Sequence, residues 1–382
     1  MYDKHWDIFC NVIDNYGDIG VCWRLARQLA AEHGQRVRLW VDDLASFRRI
    51  CPEIDPALTD QSLSGVDVRR WLTPFLPHNA QDVADIVIEA FACELPETYL
   101  VAMAQKSHKP VWINLEYLSA ESWIAGCHGL ASPHPHLPLT KHFFFPGFTS
   151  GTGGLLREAH LLKRRNTWQA DPAAARAHFN LPPAETNELL VSLFSYENPA
   201  LPALLKTWAT GPHPLRCLVP QGQALEQVAA CLGKPEIAPS TTLSLGRLTV
   251  HALPFVRQED YDLLLWSCDL NFVRGEDSFT RALWAGRPLV WHIYPQADDA
   301  HLPKLAAFLD LYCAQLPPAT AATLRTFWMC WNGAKNQGID TAWSKFESSL
   351  FDYTNHAERS DNELAEATDL TANLLVFCEK LL

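Results

Sequence analysis

Asp14 and Asp18 stand close together in the run Asn11-Val12-Ile13-Asp14-Asn15-Tyr16-Gly17-Asp18-Ile19-Gly20, where an apolar segment gives way to a helical one. A pair of carboxylates at such a junction can hold a cation through charge-assisted hydrogen bonds and accept a proton from it. The run lacks the full GxGxxG spacing, so a dinucleotide fingerprint is a poor fit. Each acid also has a plain structural role. Asp18 could serve as a helix N-cap, worth about 1 kcal/mol, and Asp14 could stabilise the turn. Both together, at the C-terminal end of a strand, point towards a site.

The second constellation runs from Asn271 to Pro288 and again reads strand, polar turn, helix. Arg274, Glu276, Asp277 and Ser278 fill the turn. A helix N-terminus with Ser278 and Arg274 beside it suits a diphosphate, and a carboxylate there can hold a sugar hydroxyl. The structural alternative is that Asp277 or Ser278 caps the helix while Glu276 pairs with an arginine. Phe194-Ser195-Tyr196-Glu197 and Phe255-Val256-Arg257-Gln258 end two further strands. Their aromatics could sandwich a nucleobase whose polar edge Gln258 reads, although aromatics at such positions are commonly core. Gly151 to Gly154 reads as a hinge between domains. His128, His134, His136 and His142 lack metal-ligand spacing, and no DxD motif stands beside the polar turn at 274–278.

The elements that must position these residues alternate. Trp6 to Ile13 reads as a strand and the segment from Ile19, with Cys22, Leu25, Ala26 and Leu29 at helical spacing, as a helix stopped by Gly34. Strands at 37–41, 84–92 and 111–115 follow, with a helix over 96–105, which implies a parallel sheet covered on both faces. Polar residues gather just past the strand ends, at Glu89, Glu94, Asn114 and Glu116, where open α/β sheets place ligands. A second series follows: strands at 189–194, 215–219, 248–253, 270–273 and 288–292, with helices over 201–209, 258–266 and 278–285. We read residues 1–155 as one Rossmann-like domain, 156–184 as an inter-domain linker and 185–359 as a second such domain. A C-terminal helix over 360–382 is placed back on a domain surface, the first domain being the candidate.

The chain has 382 residues and a formal net charge of −12, which argues against general affinity for a nucleic-acid backbone. Hydrophobic residues at 48% against 19% charged describe an ordered globular protein. No run is long enough for a membrane helix, and Met1 to Asp7 lacks signal-peptide order, so a cytoplasmic protein is expected. The 11 cysteines include no CxxC pair and are expected to be mostly buried, reduced thiols.

Taken with FFFPGF (143–148), TGGLLRE (152–158), LFSYE (193–197), LPFVRQEDYD (253–262) and FVRGEDSF (272–279), the two constellations give a more specific signal. Over nearly its whole length the sequence resembles the bacterial protein-arginine rhamnosyltransferases that modify translation elongation factor P. The resemblance implies a GT-B architecture of two facing Rossmann-like domains with a cleft between them, the donor in the C-terminal domain and the acceptor protein against the N-terminal one. It implies inverting, metal-independent transfer of L-rhamnose from dTDP-β-L-rhamnose to an arginine of elongation factor P, which activates that factor for rescue of stalled ribosomes. No cofactor beyond the donor substrate, no direct nucleic acid and no membrane are implied.

Carried over residue by residue, the resemblance makes Asp18 the general base and Asp14 a supporting carboxylate, with Glu276 the third catalytic acid. Asn15, Gly17, Phe194, Tyr196, Phe255, Gln258, Arg274, Asp277, Ser278 and Tyr294 would bind the nucleotide-sugar. Two other readings stand beside this one. One is another GT-B enzyme, an epimerase or a small-molecule glycosyltransferase, since fold does not select the acceptor. The other is a non-catalytic nucleotide-binding partner of a translation factor, against which the paired acids argue.

Overall fold

The computed structural model describes residues 4–13, 16–75, 79–334 and 338–382, and of Ala297 the backbone alone. The chain divides into two units, Met1–Ala159 with Glu366–Leu382, and His160–Ala365.

The first unit is built on β1 (His5–Cys10), β2 (Arg36–Val41), β3 (Asp60–Leu63), β4 (Val66–Arg70), β5 (Ile86–Ala90), β6 (Val111–Leu115), β7 (Ala131–Pro133) and β8 (Thr140–Phe144). They form one sheet in the order β3-β4-β2-β1-β5-β6-β8-β7. β4, β2, β1, β5, β6 and β8 run parallel, and β3 and β7 close the two edges antiparallel. Trp6, Ile8, Phe9 and Cys10 are all fully buried because β1 lies in the middle and is covered on both faces, which is why its sequence is apolar without alternation. The one charge inside it, Asp7, is matched: its carboxylate accepts Nε and Nη2 of Arg38, each at 2.6 Å, Nε1 of Trp40 at 3.2 Å, and the Tyr99 hydroxyl. The helix Gly17–His33 buries Ile19, Cys22, Leu25, Ala26 and Leu29, and Gly34 ends it in the left-handed conformation with its N–H on the Leu29 carbonyl.

The tail read as one helix over 360–382 is two. The helix Leu350–Glu366 belongs almost wholly to the second unit, and the helix Leu370–Glu379 belongs to the first. Asp369 supplies the break, because its side chain accepts the Thr371 and Ala372 N–H groups and so starts a new helix. Thr371 Oγ1 donates to Gln28 Oε1 at 2.7 Å, and Phe377 packs edge-on against Phe144 at 5.5 Å between ring centroids.

Gly153 and Gly154 form a packed turn where the composition reads as a hinge. A Cβ on Gly153 would meet the Phe144 ring at 2.3 Å, and Gly154, with φ of 82°, lies where a Cβ would come within 2.8 Å of the Thr368 carbonyl. These glycines allow close approach.

The second unit holds β9 (Leu189–Leu193), β10 (Leu215–Pro220), β11 (Thr242–Leu245), β12 (Leu248–Leu253), β13 (Leu270–Arg274) and β14 (Leu289–His292). Their order is β11-β12-β10-β9-β13-β14, parallel except for the edge strand β11. Trp208, Trp331 and Trp343 fill the core around Phe272. The stretch 160–184, read as part of a linker, carries the helices Leu161–Gln169 and Pro172–His178 and belongs to this unit. Its polar side chains explain why: Trp168 Nε1 donates to Ser267 Oγ at 2.9 Å, and Arg165 Nη1 donates to Asp361 Oδ2 at 2.6 Å and to the Trp284 carbonyl at 2.8 Å. All 11 cysteines are free thiols and most are buried. Among the described residues no helix is long and apolar enough to cross a membrane.

Candidate active site

In the first unit, Asp14 and Asn15 lie outside the described residues. Gly17 is the first residue of its helix and Tyr16 occupies the N-cap position, so Asp18 sits inside the first turn and is not the cap. Its side chain folds back towards β1, and Oδ2 accepts the Ile13 N–H at 2.9 Å while Oδ1 faces the Tyr117 hydroxyl at 3.3 Å. Only 2% of Asp18 is exposed, and the positive end of the helix dipole favours its negative charge. A buried carboxylate anchored in this way is pre-oriented for a cationic ligand.

Glu89 and Asn114 are found within β5 and β6, both buried, and not past the strand ends. Glu89 accepts Trp112 Nε1 at 3.0 Å and pairs with Lys141 Nζ at 3.2 Å, so its charge is already answered. Asn114 binds the Ala92 N–H through Oδ1 and donates to Glu116 through Nδ2. Burial raises the Glu116 carboxyl above its usual range, with Asn114 and Lys141 opposing. Glu94 is exposed with a left-handed backbone.

In the second unit the structure gathers Phe194, Tyr196, Arg274 and Tyr294. The Arg274 guanidinium carbon lies 4.5 Å from the Phe194 ring centroid and 4.7 Å from that of Tyr196, so its charge rests on two aromatic faces. Arg274 Nη1 also donates to Gln223 Oε1 at 2.7 Å, a partner that sequence reading missed because it comes from a different strand end. Tyr294 meets Tyr196 edge-on with centroids 5.5 Å apart and is 45% exposed. Glu276 stands at the N-cap position without capping and pairs instead with Lys304 at 3.1 Å. Asp277 accepts Gln258 Nε2 at 3.1 Å, and Ser278 Oγ donates to the Arg274 carbonyl behind it. Phe255 lines a pocket of about 180 Å³ with Phe179, Asn180, Ser240 and Val256, and none of the other expected donor residues among the described residues lines it. Also among the described residues, no group of three or more His, Cys, Asp or Glu is arranged to hold a metal ion.

His292, at the end of β14, packs edge-on to Tyr196 and Trp331. Burial pushes its imidazole down to about 3, and Arg274 and His301 add repulsion. In the unfolded chain a histidine titrates near 6.5. Below about pH 6.5 the unfolded chain therefore takes up a proton that the folded chain does not. This contribution to stability is full above the unfolded value and is lost as the pH falls towards the folded one. The urea midpoint is expected to drop between about pH 7 and pH 5, less steeply in His292→Phe. Equal slopes in the two proteins would refute the assignment.

Two units, each of helices on a largely parallel sheet, make up the fold of the GT-B glycosyltransferases, and the second carries a basic and aromatic cluster at its strand ends. A solved spinosyn forosaminyltransferase, SpnP, has the same fold over 100% of this chain and 99% of its own, with a TM-score of 0.51 at 12% identity. The chain belongs to a particular family within that class: the model described as Elongation-Factor P (EF-P) rhamnosyltransferase EarP matches residues 6–379. The protein-arginine rhamnosyltransferase of Pseudomonas aeruginosa is 52% identical over 374 residues, covering 97% of this chain and 98% of that protein. A structure solved to give the structural basis for EarP-mediated arginine glycosylation of translation elongation factor EF-P is 35% identical, covers 100% of both chains and has a TM-score of 0.71.

Proposed function

We propose that this protein transfers L-rhamnose from dTDP-β-L-rhamnose to an arginine side chain of translation elongation factor P, in the cytoplasm, with inversion at the sugar carbon and without a metal. The observation that carries the reading is Asp18: a buried carboxylate oriented by the Ile13 N–H, in a chain of this family.

An arginine guanidinium keeps its proton, with a pKa above about 12, and its delocalised nitrogens are poor nucleophiles. Asp14 and Asp18 answer the charge, and Asp18 accepts a proton as attack proceeds. The guanidinium nitrogen forms a bond to the anomeric carbon, the bond from that carbon to the diphosphate oxygen breaks, and dTDP leaves with the electron pair. Arg274 offers the leaving diphosphate a fixed cation. Phe194 and Tyr196 position that cation, Gln258, Asp277 and Ser278 form the polar turn around the nucleotide, Glu276 holds a sugar hydroxyl, and Phe255 packs against the base. Asn15, Gly17 and Tyr294 are further donor-binding residues that the family resemblance implies.

Intact-mass spectrometry of elongation factor P incubated with the protein and dTDP-β-L-rhamnose tests this reading. A single deoxyhexose, located on an arginine by fragmentation, is the expected result. An unchanged mass with dTDP-rhamnose still bound would refute it and favour a different acceptor.

A further inference from the structure

We infer that Tyr117 is the positioning residue of Asp18, an inference that rests on the proposed role of Asp18 as the base. The phenol comes from the far side of the sheet's centre: Tyr117 follows β6, whereas Asp18 follows β1, and β5 lies between those strands. Its hydroxyl faces Asp18 Oδ1 at 3.3 Å while the Ile13 N–H holds Oδ2 at 2.9 Å. With a donor on each oxygen, the plane of the carboxylate is held. At 3.3 Å the phenol contact is longer than a relaxed hydroxyl hydrogen bond.

The tyrosine ring is itself fixed. Phe91 stacks on it with centroids 4.5 Å apart and planes 17° from parallel. Phe91 and Ala92 leave β5 with φ of 56° and 54°, a left-handed conformation unfavourable for a large side chain. Two hydrogen bonds from β6 hold that turn: the Phe91 N–H reaches the Leu115 carbonyl at 2.7 Å, and the Ala92 N–H reaches Asn114 Oδ1 at 3.1 Å. Backbone in sparsely populated regions persists where its surroundings over-determine it, and such places cluster at functional sites. Here the strained turn carries the Phe91 ring to the face of Tyr117, and Tyr117 carries a donor to the carboxylate. Asn114 therefore serves the site through the turn it clamps.

The test is a double-mutant cycle on the full-length protein. Tyr117→Phe keeps the stacked ring and removes the hydroxyl. Its kcat for rhamnosyl transfer is expected to fall about tenfold, the scale of one hydrogen bond to a charged group, with KM for donor and acceptor unchanged. In an Asp18→Asn background the same substitution is expected to change the residual rate no further, because the Tyr117 hydroxyl acts on the reaction through that carboxylate. A normal kcat in Tyr117→Phe beside an inactive Asp18→Asn overturns this inference alone. So does a further tenfold loss in the double variant. Near-normal turnover by Asp18→Asn overturns the base assignment and the inference with it. Tyr117→Leu, which removes ring and hydroxyl together, is expected to lose more than Tyr117→Phe, and equal rates in the two also count against positioning by the stacked ring.

Discussion

Asp18→Asn is expected to lower kcat for rhamnosyl transfer about a thousandfold while leaving dTDP affinity unchanged, the scale at which a positioned general base contributes. The amide is isosteric and can still accept the Ile13 N–H that the carboxylate now holds, so the loop between β1 and its helix keeps its closing bond. What it loses is the negative charge that draws the guanidinium and the basicity that removes its proton. Arg274 and the rings it lies over belong to the second unit, whereas Asp18 belongs to the first. Stopped assays read by mass spectrometry, with calorimetry for dTDP, separate the two effects. A variant that turns over within about tenfold of the parent would remove Asp18 from the role of base, since the loss would fall below what general-base catalysis supplies.

Arg274→Ala should raise KM for the donor about a hundredfold and weaken dTDP binding to match, because charge-assisted hydrogen bonds to phosphate are among the stronger polar contacts. The geometry makes Arg274 hard to replace. Its guanidinium lies over Phe194 and Tyr196 and is bonded to Gln223, so planarity, charge and direction are all used. A lysine supplies the charge alone, and Arg274→Lys is therefore expected to recover only part of the loss. Unaltered dTDP affinity in Arg274→Ala would exclude the residue from the donor site.

Much of this was legible before the fold was known, for reasons that can be stated. The helix Leu201–Ala209 and the strand Leu248–Leu253 fall where their apolar spacing places them, since both bury a full face or both faces. β3, β4, β7, β8 and β11 escaped notice; of these, an edge strand such as Asp60–Leu63, half exposed and antiparallel, carries no apolar period. The helix Leu350–Glu366 and its successor merged in the sequence because their apolar stripes are nearly in phase, and the Asp369 cap between them is a one-residue signal. The acidic turn and the arginine turn announced themselves by position. Tyr117 and Gln223 did not, since a lone tyrosine or glutamine acquires meaning only when folding brings it to a partner far along the chain.

The return of the helix Leu370–Glu379 to the first unit sets the order in which this protein can be completed. During synthesis, β1 to β8 leave the ribosome long before residues 366–382, with the whole second unit made in between. Until then Gln28 has no Thr371 hydroxyl to bond, and Phe144 has no Phe377 beside it. Domains usually fold in the order they emerge. In this chain the unit that carries Asp18 starts first and is sealed last, so a nascent or prematurely terminated product holds the acidic turn on an unfinished scaffold.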